Sequence, residues 1–208
     1  IAQTFAILHA TCAQIVVMLL VSIALATSRF WIDRRAGLKM PVDSTTRNLG
    51  LASVAALLLQ VVLGAIMRHN HAGLAIPTFP LTPEGGLLPA YWSFPVTIHF
   101  LHRAWAIGVT VILLVFVSRV WGTPQLRNAF GWLAIATTLV LALQIYLGAL
   151  TIWTVKNAHA ATIHALVGAG LIALTYAMTF FCYRLRSEPE ETPPPISPHK
   201  IQTTASLS

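Results

Sequence analysis

Charge is what this sequence has least of. Only 9% of its 208 residues are Asp, Glu, Lys or Arg, while 56% are hydrophobic. A soluble domain carries roughly 25% charged residues, so an ordinary soluble domain is excluded and an integral membrane protein is indicated. Acidic residues are scarcer still: there are six, and none falls inside an apolar run, so no carboxylate proton relay is visible in those runs. Cysteine is nearly absent. Cys12 and Cys182 are the two; they lie toward opposite membrane faces, where no bridge between them is expected. The net charge of +7 is not a nucleic-acid footprint, because most of the 13 basic residues sit between apolar runs, where they set topology. No charged segment of the kind that opens a signal peptide precedes the first apolar run.

What the sequence has is length of apolar run. About 20 apolar residues cross a hydrocarbon core of roughly 30 Å, and five stretches qualify: Ala2–Thr27, Asn48–Met67, Val96–Trp121, Ala129–Trp153 and Ala158–Tyr183. Each is expected to be helical, since a spanning segment must satisfy its own backbone hydrogen bonds. The fold class is therefore all-α, with five transmembrane helices.

The segment 28–47 carries Arg29, Arg34, Arg35, Lys39 and Arg47 against Asp33 and Asp43. Arg119 lies at the end of the third run, Arg127 lies just before the fourth, and Arg184 and Arg186 follow the fifth. The alternate connections hold only Arg68 and Lys156. This asymmetry places the 28–47 loop and the C-terminus in the cytoplasm. Trp31, Trp121 and Trp132 then fall near the inner interface, and Trp92 and Trp153 near the outer one. Ile1 falls outside, which is the arrangement expected if further helices precede it. The outer loop 69–95 contains five prolines and three glycines and reads as an irregular cover. The polar, proline-rich tail 187–208 reads as disordered.

The chain repeats itself. Leu59-Gln60-Val61-Val62-Leu63-Gly64-Ala65 returns as Leu143-Gln144-Ile145-Tyr146-Leu147-Gly148-Ala149. Each copy runs outward and is followed by a loop and a histidine-bearing helix running inward. Runs two to five thus form two similar hairpins of a parallel-repeat four-helix bundle over 48–186. Gly64 and Gly148 permit close helix approach. Gln60 and Gln144 need partners, either another helix or a bound cofactor. The first run, 1–27, echoes the last: Phe5-Ala6-Ile7-Leu8-His9-Ala10-Thr11 is similar to Ala161-Thr162-Ile163-His164-Ala165-Leu166. It reads as the last helix of a preceding bundle.

Histidine and arginine are costly in a membrane helix and mark function there. Ile98-His99-Phe100-Leu101-His102-Arg103 opens the third run, and His159 and His164 open the fifth. At about 1.5 Å per residue, His102 and His164 both lie roughly 9 Å inside their helices. Two imidazoles at matched depth on facing helices suit the axial positions of a haem. The bland alternative is a pair of histidines satisfied by backbone carbonyls. No Cys-x-x-Cys-His is present, so covalent attachment is not indicated, and no third ligand at that depth supports zinc. His99, one turn before His102, is the rival ligand. Arg103 either reaches a haem propionate or snorkels outward. Arg68, His69 and His71 either pair with propionates or are interfacial polar residues. His159 reads as solvent-facing.

Taken in order, these motifs resemble the haem A synthase family. They are Leu59-Gln60…Leu63-Gly64-Ala65, Ala72-Gly73-Leu74-Ala75-Ile76-Pro77-Thr78-Phe79-Pro80-Leu81, Ile98-His99-Phe100-Leu101-His102-Arg103, Gln144…Leu147-Gly148 and Ala161-Thr162-Ile163-His164. The resemblance covers residues 1 to about 183. It implies two pseudo-symmetric four-helix halves, of which this chain supplies the fourth helix and the C-terminal half. It implies a haem b held by His102 and His164, which decides between His99 and His102. It implies that His9 belongs to the half where haem O is the substrate, and that the whole enzyme oxidises a haem O methyl group to the formyl of haem A. The family's catalytic half places a Glu three residues before its His-Arg; His99 stands there instead. Ile76 stands where many members carry a cysteine in the corresponding loop of the other half.

The resemblance further implies a bacterial cell membrane, with the mitochondrial inner membrane as the alternative. The expected partners are lipid, a haem O-producing enzyme and cytochrome oxidase assembly factors, with no nucleic acid. By itself the chain is expected to bind haem b without synthase activity. A b-type membrane electron carrier without substrate chemistry is the alternative function.

Overall fold

The computed structural model of the chain describes residues 2–29, 32 and 42–184. Five long helices account for most of them: α1 (Ala2–Ala26), α2 (Ser44–His69), α3 (Phe94–Gly122), α4 (Pro124–Trp153) and α5 (Ala158–Arg184). One 3-10 turn, Ala72–Leu74, lies between α2 and α3. No strand occurs among the described residues. All five helices are long and apolar enough to cross a membrane, as the sequence predicts for an integral membrane protein.

Apolar runs locate the helices but not their first turns. Asp43 starts α2 four residues before its apolar run. Its Oδ1 accepts from the Thr46 backbone N–H at 2.9 Å, and its Oδ2 accepts from the Thr46 hydroxyl at 2.7 Å. Residues 44–47, expected in the basic loop, are therefore the first turn of α2. α3 and α4 start two and five residues early, each with a proline in the first turn. Proline suits that position because its φ is preset and its missing N–H would have no helical partner. Only Thr123 separates α3 from α4. Asn157 starts α5, its Oδ1 accepting from the His159 N–H at 2.9 Å. The tail 187–208 and the basic residues Arg34, Arg35 and Lys39 lie outside the described residues.

Helices α2, α3, α4 and α5 form a ring in which each touches the next and α5 closes on α2. α1 packs outside the ring against α2 and α5, tied by a 2.7 Å hydrogen bond between Ser22 and Tyr176. Lipid is as apolar as leucine, so interlocking contacts rather than transfer from water hold such helices together. The tightest contacts cluster toward one end, around Leu113, Phe116, Leu126, Leu171 and Ile172. Phe130 stacks on Phe181 there at 4.4 Å. Gly50 brings the α2 backbone so close that a Cβ would stand 2.8 Å from Thr179 Oγ1 and 2.9 Å from Phe116 Cζ.

Toward the other end the packing opens. No residue between 58 and 64 on α2, 100 and 108 on α3, 142 and 146 on α4, or 161 and 170 on α5 is fully buried. Above that opening the helices close again around Ala65, His99, Leu147, Ala149 and Ala160. Cys12 is exposed on α1 and Cys182 buried on α5, both as free thiols.

Candidate functional site

The four polar residues singled out by the repeat all fall in that opening: Gln60 on α2, His102 on α3, Gln144 on α4 and His164 on α5. Each glutamine lies nine residues before the last residue of its helix. His102 lies two residues further into α3 than His164 lies into α5, because α3 begins at Phe94 rather than at Val96.

Each glutamine meets the histidine of the following helix. The Gln60 side-chain amide donates to the His102 carbonyl oxygen at 3.1 Å and stands 3.3 Å from His102 Nδ1 and 3.2 Å from Nε2. The carbonyl accepts only, so it fixes which end of the Gln60 amide is nitrogen. Gln144 Nε2 stands 3.5 Å from His164 Nε2. The glycine one turn on completes each contact. A Cβ at Gly64 would stand 3.1 Å from His102 Cε1, and one at Gly148 would stand 3.3 Å from His164 Cε1. The repeated Gln-x-x-x-Gly is thus a holder for an imidazole. The sequence supplied the repeat and the need for partners; it did not show that the histidines are those partners. The signal was the pairing of one Gln-x-x-x-Gly with one histidine in each hairpin. It was masked by unequal separations of 42 and 20 residues, the longer one spanning the 70–93 loop.

His99 and Arg103, one turn apart on α3, face that loop instead. His99 is only 2% exposed, and its Nδ1 accepts from the Ile76 backbone N–H at 3.2 Å. Ile76 is 3% exposed. Arg103 Nη2 donates to the Thr78 carbonyl oxygen, and its guanidinium lies 5.3 Å over the Phe79 ring. Phe79 in turn meets Trp153 edge-on at 6.2 Å. Two α3 side chains thus clasp residues 76–79 across the end of the ring. His164, His99 and Arg103 all lie within electrostatic range of the His102 ring.

The remaining predicted residues are less central. Arg68 is exposed in the last turn of α2, two turns beyond Gln60. His71 is exposed, with φ 55° in the left-handed region. His159 is exposed. His9 is exposed on α1, outside the ring.

A haem between His102 and His164 fits the polar atoms present. Gln60 Nε2 is nearly equidistant from the two His102 ring nitrogens. At such distances it stands over the ring face, because in the ring plane it would strike Cε1 or the carbon edge. Both in-plane nitrogen positions of His102 therefore stay clear of Gln60. His164 Nδ1 is buried without a hydrogen-bond partner, as are Arg103 Nε and the side-chain oxygens of Gln60 and Gln144. A buried polar group left unpaired costs about 1–3 kcal/mol, so such a cluster marks a place built for a further group. No set of three His, Cys, Asp or Glu residues suited to a bare metal ion occurs among the described residues.

Residues 2–176 match a family model described as cytochrome oxidase assembly protein. A "Heme A synthase" from Novosphingobium aromaticivorans is 31% identical over 161 residues, covering 69% of this chain and 44% of the relative. One from Sphingopyxis alaskensis is 32% identical over 173 residues, covering 76% and 47%. One from Listeria welshimeri is 26% identical over 166 residues, covering 79% and 54%. The chain spans about half the length of the curated relatives it matches.

Proposed function

The chain belongs to the family of cytochrome oxidase assembly proteins that includes the haem A synthases, and on that premise we propose that its four-helix ring holds a haem b between His102 and His164. In this reading it is part of the synthase that oxidises the methyl group of haem O to the formyl of haem A. The observation that carries the reading is the pair of repeat-related holders. Gln60 meets His102 and Gln144 meets His164, with Gly64 and Gly148 leaving the room each ring takes, at the level where the ring's packing opens.

His102 and His164 would hold the iron of a haem through ring nitrogens. A haem bound there supplies one-electron redox capacity, while the protein supplies position and surroundings. Arg103, with Nε buried and unpaired, is the donor for a propionate; Arg68, exposed at the helix end, is a second. His99 is engaged by the loop at Ile76, which supports His102 rather than His99 as ligand. His9 belongs to the haem O side, where companion helices would complete the site. The loop 76–79 shields the end of the ring from water. We place the protein in a bacterial cell membrane, with the C-terminus cytoplasmic, from the basic residues of the 28–47 segment. Its expected associates there are a haem O-producing enzyme and oxidase assembly factors.

A b-type electron carrier is the second reading, favoured by one observation: no helix α2–α5 contains an acidic residue. Expression of the chain in cells that make haem O, followed by chromatography of the extracted haems, tests the enzymatic part. Bound haem b without haem A is expected from this chain alone. Haem A from the chain alone would show that its own residues complete the reaction. Haem A that stays absent when the companion half is supplied would leave the carrier reading.

A further inference from the structure

We propose that Gln60 and Gln144 are positioning residues that set the rotation of the two imidazoles, with Gln60 the stronger. The inference rests on the haem reading above and adds to it how the ligand planes are fixed.

A histidine on a helix turns about two side-chain bonds, so a metal bond through one ring nitrogen leaves the ring plane undetermined. Ligands are ordinarily oriented by a hydrogen bond to the other nitrogen. Here the group nearest each imidazole is a glutamine amide from the preceding helix, Gln60 at His102 and Gln144 at His164. Gln60 is anchored by its bond to the His102 carbonyl oxygen at 3.1 Å, which keeps the amide over the imidazole face. Gly64, one turn on, leaves the space the ring occupies: a Cβ there would stand 3.1 Å from Cε1. The anchored amide over its face restricts how far the ring can turn.

The His164 holder is built from the same two residue types but is looser. The Gln144 side-chain amide has one contact with the His164 ring, at 3.5 Å, whereas the Gln60 amide also bonds its histidine's carbonyl oxygen. Gly168 is what lets the Gln144 amide sit there, since a Cβ at 168 would stand 2.9 Å from its nitrogen. The two ligands are thus unequally constrained. With a haem held between them, the relative orientation of the two rings would be set mainly from the α2 side, and that orientation bears on the magnetic anisotropy and potential of a bis-imidazole haem.

The test uses the full chain loaded with haem b as wild type, Gln60→Leu, Gln60→Met and Gln144→Leu. The readouts are haem-to-protein ratio, helix content by circular dichroism, g-values of the ferric low-spin signal and midpoint potential. Both Gln60 variants are expected to keep their haem and helix content while the g-values and potential shift. Gln144→Leu should shift them less. Unchanged g-values and potential in the Gln60 variants would overturn the proposal. So would a larger shift in Gln144→Leu, or loss of haem from both Gln60 variants, since that is a binding role rather than a positioning one. Absence of haem from the wild type would overturn the haem reading itself, a result distinct from any of these.

Discussion

Gln60 reaches across from α2 to bond the backbone of His102 at 3.1 Å, and in doing so brings its amide to 3.2 Å from Nε2 of the same residue. One side chain thereby fixes both where α3 lies against α2 and how the imidazole is presented. The repeat places Gln144 against His164 in the same way but with a single 3.5 Å contact. A sequence motif that looks like helix-packing grammar therefore also seats an imidazole in each hairpin.

The glycines of the two holders are not interchangeable with alanine. At Gly64 a Cβ would stand 3.1 Å from Cε1 of the His102 ring, which the Gln60 amide also confines. Gly64→Ala is expected to cost about 1–3 kcal/mol as overpacking and to weaken retention of haem. Gly168→Ala makes a nominally closer contact, 2.9 Å, but with the free end of the Gln144 side chain, which swings aside cheaply. Thermal unfolding in detergent should rank Gly64→Ala below Gly168→Ala. The reverse order would mean that the His102 ring is free to move.

Gly50→Ala should be the more damaging test of the fold itself. Its Cβ would meet Phe116 and Thr179, the former fully buried and both packed inside the ring. A loss of about 1–3 kcal/mol is expected, read as a lowered melting temperature. It should leave the haem spectrum of the surviving folded protein unchanged, because Gly50 lies almost three turns from Gln60.

His99→Ala separates the loop clasp from the proposed haem site. Removing the imidazole leaves the Ile76 N–H buried without its acceptor, at a cost of about 1–3 kcal/mol. The expected result is faster amide exchange and proteolysis within residues 72–82, with the haem spectrum retained. Loss of that spectrum in His99→Ala, with His102 intact, would contradict the assignment of ligands.

Asp43 gives a pH dependence outside the membrane span. The Thr46 hydroxyl, then the Thr46 backbone N–H, hold its carboxyl below the usual carboxylate range. A folded pKa below the unfolded one means that the capping contribution is present above the unfolded pKa. It is lost as pH falls through the folded value. Asp43→Ala should cost about 1 kcal/mol at neutral pH, a typical N-cap loss, and the gap from wild type should close in acid. A gap that persists at low pH would mean that the carboxylate is not what caps α2.

The fold was largely legible because membrane spans are written in long apolar runs, and nothing but a helix satisfies their backbone alone. What those runs could not show was the polar first turn of a helix. α2 begins at its Asp43 cap and α4 at Pro124, where hydropathy is low but capping chemistry is good. At the site, the repeat pointed to Gln60, Gly64, Gln144 and Gly148, and depth pointed to His102 and His164. The roles of His99 and Arg103 were not legible. Both grip the backbone of a loop at Ile76 and Thr78, and a bond to a backbone atom leaves no mark on the identity of the residue that receives it. For the same reason Ile76 reads in sequence as an ordinary apolar loop residue, although its N–H anchors the loop.

The central claim is that His102 and His164 together hold a haem, and one spectrum tests it most directly. The chain is purified with its haem as wild type, His102→Ala and His164→Ala, and a reduced-minus-oxidised difference spectrum is recorded for each. We expect a low-spin b-type signal in the wild type and its loss or conversion to high spin in both variants. An unchanged low-spin signal in either alanine variant would contradict the account.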